Sequence, residues 1–199
     1  MTSPTNASLV FADLRDALQA LEAARGSPKD VRRAFSQFVD LTQRLTSAMR
    51  TDFSRLKSAR WDAAAFPGWN KVTDFFKWLR NQDQHELPIR ISVHERHFYA
   101  VPGHPGRLFP FDGTWTLADQ LADAPPQGIT FHPIDPTTGR HLDPVPPVRV
   151  EYQYLVQLHS EAVRKRLHAI GTTDVHQLSA ACFAALSEYH DYFLAKLGI

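Results

Sequence analysis

The chain has 199 residues, 43% of them hydrophobic and 22% charged, with a formal net charge of +1. This is the make-up of an ordinary globular protein, and its near-neutral charge is too balanced to predict nucleic-acid binding from bulk charge alone, which leaves a local basic site open. The lone cysteine, Cys182, excludes an intramolecular disulfide and fits a reducing, cytoplasmic setting. No apolar run is long enough to span a bilayer, and the first residues lack the basic start and apolar stretch of a signal peptide, so no membrane partner is expected.

The pattern predicts helices, then a proline-rich β segment, then helices. A first helix is expected from about Ser8 to Arg25, with Asn6 as N-cap. Phe11, Leu14, Leu18 and Leu21 form its apolar stripe, and Gly26 ends it as a left-handed C-cap. Ser27-Pro28-Lys29-Asp30 combines a cap, a proline and an acid in one first turn, a strong start signal. The helix that follows carries Val31, Phe35, Phe38, Val39, Leu41, Leu45 and Met49. Arg50-Thr51-Asp52 leaves open whether it is one helix or two.

Phe66-Pro67-Gly68 reads as a turn. A third helix is expected from Trp69 to about Gln84, burying Val72, Phe75, Phe76 and Leu79.

From Leu87 to Val148 the composition changes, and most of the prolines fall there. Ile89, Ile91 and Val93 alternate with polar residues as in a strand. His94-Glu95-Arg96 is read as a turn and His97 to Val101 as the returning strand. Ile129 to His132 reads as another strand, and Thr116 to Ala122 as a short helix. Phe109, Phe111, Trp115 and Phe131 mark this block as a structured insertion, an arm packed on the bundle or on a second subunit, or a surface for a protein partner. Two helices complete the chain, one from about Val150 to Ala169 ending at Gly171, the other from about Val175 to Leu197 capped by Thr173 or Asp174. The expectation is a mainly α protein: a single domain over 1–199, a bundle of about five helices with 87–148 as a β-hairpin-containing, proline-rich insertion.

The candidate site is Arg80-Asn81-Gln82-Asp83-Gln84-His85, where the third helix runs out before Pro88. An obligate cation and an imidazole that titrates near neutral pH are suited to RNA cleavage by internal transesterification. His85 can accept the proton of a ribose 2′-hydroxyl. Arg80 can hold two phosphate oxygens and stabilise their developing charge. Asn81 can orient the phosphate or His85. No metal or other cofactor is required. Five residues turn a helix by about 500°, so the two side chains stand roughly 140° apart on an unbroken cylinder. They converge if the helix bends, or if two such helices meet across a two-fold axis. The competing reading is structural, because helix C-termini favour Arg and His for their charge.

The pattern Arg-Asn-x-x-x-His closing an amphipathic helix resembles the HEPN (higher eukaryotes and prokaryotes nucleotide-binding) superfamily. Arg80, Asn81 and His85 match its motif, and Leu87 stands where toxin-type members often carry Tyr. The resemblance implies a helical bundle, a homodimer that brings two motifs together, and metal-independent ribonuclease activity on RNA, often in toxin-antitoxin or defence systems. The alternative function is a non-catalytic interaction module whose arm binds a partner protein or a second subunit.

Other polar clusters are weaker. His94 and His97 are three apart, which is not the zinc spacing of four on one helical face. With His104, His132 and His141 they are read as exposed histidines. His159, Arg164, Lys165, Arg166 and His168 form a basic stretch that can meet phosphates or simply face solvent. His190 borders an apolar stripe as a core-edge residue, and Cys182 lies within one as a small hydrophobe.

Overall fold

The computed structural model describes residues 5–85, 90–100, 108–115, 137–140, 147–158 and 160–199, with 82–85, 99–100 and 108–115 described by backbone. The protein is mainly helical with a small antiparallel sheet. The described elements are α1 (Asn6–Ala23), α2 (Pro28–Lys57), α3 (Lys71–His85), β1 (Ile91–Ala100), β2 (Leu108–Trp115), β3 (Arg149–Val156), α4 (Glu161–Ile170) and α5 (Val175–Leu197). Contacts divide the chain into two compact units: Met1–Arg90 with Val156–Ile199, and Ile91–Leu155.

In the helical unit, α1 packs along α2 and α5, and α3 packs on α2, α4 and α5. Phe35, Phe38, Leu45, Phe75, Phe76, Tyr189 and Phe193 are buried at its centre. Phe76 meets Phe35 and Phe38 edge-on at 5.9 and 5.7 Å, a favoured aromatic geometry.

The start of α1 differs from expectation. Thr5, not Asn6, is the N-cap, and its side chain accepts from the Ser8 amide. The far end also differs. Gly26 closes a 3₁₀ turn over Ala24–Gly26 and is not left-handed. Because the tighter turn already satisfies the last carbonyls, no left-handed cap is needed.

Helix α2 is a single helix of 30 residues. The polar Arg50-Thr51-Asp52 does not break it, because Asp52 bonds elsewhere. The Asp52 side chain is 2% exposed, and its Oδ2 accepts from the Ala7 amide at 2.7 Å. One carboxylate in α2 thereby satisfies an orphan donor in the first turn of α1 and complements its positive end.

The loop after α2 is an aromatic pack. Trp61 Nε1 donates to the Tyr189 hydroxyl at 2.6 Å, and Trp69 Nε1 donates to the Ala63 carbonyl at 2.6 Å. Phe66 sits 5.3 Å from Trp69 and 5.0 Å from Tyr189. A Cβ at Gly68 would fall 2.3 Å from Phe66 Cζ, so the ring requires glycine there.

In the second unit the strand order is β2-β1-β3. β1 and β2 pair antiparallel, Val93 opposite Trp115 and Ala100 opposite Leu108. Two expectations are corrected. β1 runs straight through His94-Glu95-Arg96, which contain no Gly, Pro or Asn to turn the chain, and the returning strand is 108–115. Residues 149–156 are a strand, not the start of a helix. Val150, Tyr152, Tyr154 and Val156 alternate with more exposed residues, and β-branched and aromatic side chains favour a pleated surface. The strand expected at 129–132 and the helix expected at 116–122 lie outside the described residues.

The final helix matches expectation closely. Asp174 caps α5 by accepting from the Gln177 amide, and Gly171 ends α4 at φ 90°.

Candidate nucleic-acid site at the end of the third helix

Helix α3 begins with a reciprocal cap. Asn70 Oδ1 accepts from the Val72 and Thr73 amides at 2.9 and 3.2 Å, while Thr73 Oγ1 accepts from the Asn70 amide at 3.1 Å. Phe75, Phe76 and Leu79 then bury one face. A second stripe of α3 borders α4. Lys71 Nζ donates to the Ala169 carbonyl at 3.4 Å, and the Arg166 guanidinium lies 5.2 Å from the centre of the Trp78 ring.

Arg80 and Asn81 open the last turns of this helix. Asn81 is exposed and Arg80 half-buried. The Arg80 Nε is enclosed without a hydrogen-bond partner among the described residues.

His85 is the last residue of α3, and the helix is continuous from 71 to 85. The backbone therefore sets positions 80 and 85 about 140° apart and about 7.5 Å apart along the axis. One copy of the helix keeps the two positions on different sides. Position 85 falls one heptad after Trp78, on the stripe that borders α4. The basic stretch of α4 follows there. Arg164, Lys165, Arg166 and His168 are all exposed, with Arg164 held 2.9 Å from Glu161. His159 lies outside the described residues.

The remaining titratable groups sort by burial. On β1, Glu95 and His97 share a face. Glu95 is 4% exposed, and the His97 Nε2 lies 2.9 Å from its carboxylate. Tyr152 joins them from β3, its hydroxyl pushed up first by burial and then by the Glu95 charge and hydrogen bond. His94 and His97 are half-buried strand residues, not the exposed turn residues expected; His104, His132 and His141 lie outside the described residues. Among the described residues no group of three or more His, Cys, Asp or Glu converges as metal ligands do.

Two histidines sit within the α1–α5 interface. His190 stacks on Phe11 with ring centres 4.3 Å apart, and its Nε2 is 3.3 Å from Ser8 Oγ. Burial pulls its pKa down and the Arg15 charge adds to this, against Asp191. His176 is also lowered by burial first, then by Arg25, with Glu22 and Asp174 opposing. The Cys182 thiol is buried and pushed far up by burial alone, which makes it inert as a nucleophile.

Sequence reasoning missed the Glu95–His97–Tyr152 network, although an acid and a histidine two apart in a strand signal a shared face. It also missed the polar lining beside the end of α2, for which the Arg50 and Arg60 spacing offers no signal. Compared with known proteins, the chain matches no family model, no curated protein and no solved structure.

Proposed function

We propose that this chain is a HEPN-like, metal-independent ribonuclease that works as a homodimer. The observation that carries the reading is Arg80: a half-buried guanidinium whose enclosed Nε has no acceptor among the described residues, next to an exposed Asn81. Such a donor is suited to a phosphate oxygen supplied from outside. The unbroken helix favours a composite site, in which two copies of α3 meet across a two-fold axis and Arg80 of one copy works with His85 of the other.

In that site neutral His85 takes the 2′-hydroxyl proton as the 2′-oxygen bonds to phosphorus. The bond from phosphorus to the 5′-oxygen breaks, and that oxygen leaves with a proton from solvent. Arg80 and Asn81 hold the non-bridging oxygens as charge builds on them. The exposed cations of α4 guide the strand toward position 85.

The test is incubation of the purified protein with total cellular RNA in EDTA, beside Arg80→Gln and His85→Ala. Cleavage by the wild type, lost by at least about a hundredfold in both variants, is expected for a general base and its phosphate clamp. Intact RNA with all three proteins, each folded, contradicts the reading.

A further inference from the structure

We infer that the cleft beside the C-terminal end of α2 binds an organic phosphate, with Arg50 and Arg60 as its clamp. The cleft has a volume of about 950 Å3 and is lined by Arg50, Ser54, Ser58, Arg60, Trp61 and Asp62 with three alanines. Both guanidiniums are exposed, and among the described residues neither has an ion-pair or hydrogen-bond partner. Arg55, by contrast, is engaged by Asp52 at 3.3 Å, and Asp62 Oδ1 accepts from the Ala64 amide at 3.0 Å. The segment 50–62 holds four cations and two carboxylates, and both carboxylates are already in use. That excess outweighs the partial negative charge at the helix end, which is worth a fraction of a charge.

The backbone gives an independent reason. Ser58 caps α2 in the left-handed region at φ 50° and ψ 31°, the only non-glycine residue with positive φ among the described residues. Glycine adopts this conformation at no steric cost and is the usual choice at a helix end. Serine accepts the strain and keeps a hydroxyl in the cleft wall. Strain held in this way clusters at ligand sites. Arg50 before the reversal and Arg60 after it both line the cleft, and Trp61, hydrogen-bonded to Tyr189, fixes the loop that bears Arg60.

Two guanidiniums with two hydroxyls match the oxygens of a phosphate group. A cleft of about 950 Å3 leaves room for an organic body beside the phosphate, which makes a nucleoside monophosphate a suitable probe.

The experiment is calorimetric titration of the full chain with AMP, inorganic phosphate and adenosine. AMP is expected to bind tightest, inorganic phosphate to compete with it, and adenosine to bind at least about tenfold more weakly, the loss set by missing charge-assisted hydrogen bonds. Arg50→Ala and Arg60→Ala each lower AMP affinity about tenfold or more on the same ground. Arg33→Ala, which removes an exposed cation elsewhere on α2, leaves it unchanged. Circular dichroism verifies that the variants are folded. No AMP binding, equal binding of AMP and adenosine, or AMP affinity unchanged in both arginine variants overturns the assignment.

Discussion

At the C-terminal end of α2 an arginine is tied down. Arg55 lies 3.3 Å from Asp52, and Asp52 reaches on to cap α1. At the C-terminal end of α3, Arg80 is more deeply set than Arg55, yet its Nε has no partner among the described residues. The same residue type therefore sits towards two helix ends in two states, one paired with a carboxylate and one with an enclosed Nε that has no acceptor among the described residues. Charge complementarity with the helix end explains both cations. It does not explain why the more buried one lacks an acceptor.

That comparison makes graded predictions. The largest effect belongs to Asp52→Ala. It strips a buried donor in α1 of its acceptor, so unfolding free energy in urea should fall by about 2–4 kcal/mol. A loss below about 0.5 kcal/mol would place Asp52 outside the framework.

The histidines between α1 and α5 come next. Their folded pKa values lie below the ordinary 6.5, so the unfolded chain binds more protons as the pH falls. Stability should be full above about 6.5 and decline as pH drops below it, by at most about 1.4 kcal/mol per pH unit for each histidine. Melting temperatures measured between pH 7.5 and pH 5 should show this slope, and His190→Asn should flatten it.

Ser58→Gly is a smaller and opposite effect. Relief of the left-handed backbone should raise stability by about 0.5–1 kcal/mol in the same denaturation assay. It should also weaken AMP binding if the hydroxyl contacts phosphate.

Arg80→Gln is the smallest. An arginine without a protein partner for its buried Nε contributes little, so stability should change by less than about 0.5 kcal/mol. A large loss would move Arg80 to the structural side of the comparison.

Much of the helical unit is legible in the sequence. α5 runs over its expected span with Asp174 as cap, because apolar spacing and local capping chemistry agree there. The buried face of α3 is legible for the same reason. Residues 149–156 are not. Val150, Tyr154 and Leu158 satisfy helical spacing as well as the alternation of a strand, and only the pairing with β1 decides between them; the Val148 amide donates to the Phe98 carbonyl at 2.8 Å. The bond from the Ala7 amide to Asp52 joins residues 45 apart, which no local pattern encodes. At the candidate site, the motif and its helix end are visible in the residues. The unpartnered Nε of Arg80 exists only once the neighbouring helices are packed.

The chemistry of the RNA ends tests the central claim most directly. A labelled RNA strand incubated with the protein in EDTA should yield 2′,3′-cyclic phosphate and 5′-hydroxyl termini, since the attacking oxygen is the neighbouring 2′-hydroxyl. Arg80→Gln and His85→Ala should abolish those products while the proteins stay folded. Fragments with 5′-phosphate ends, or cyclic-phosphate products undiminished in both variants, would contradict the account.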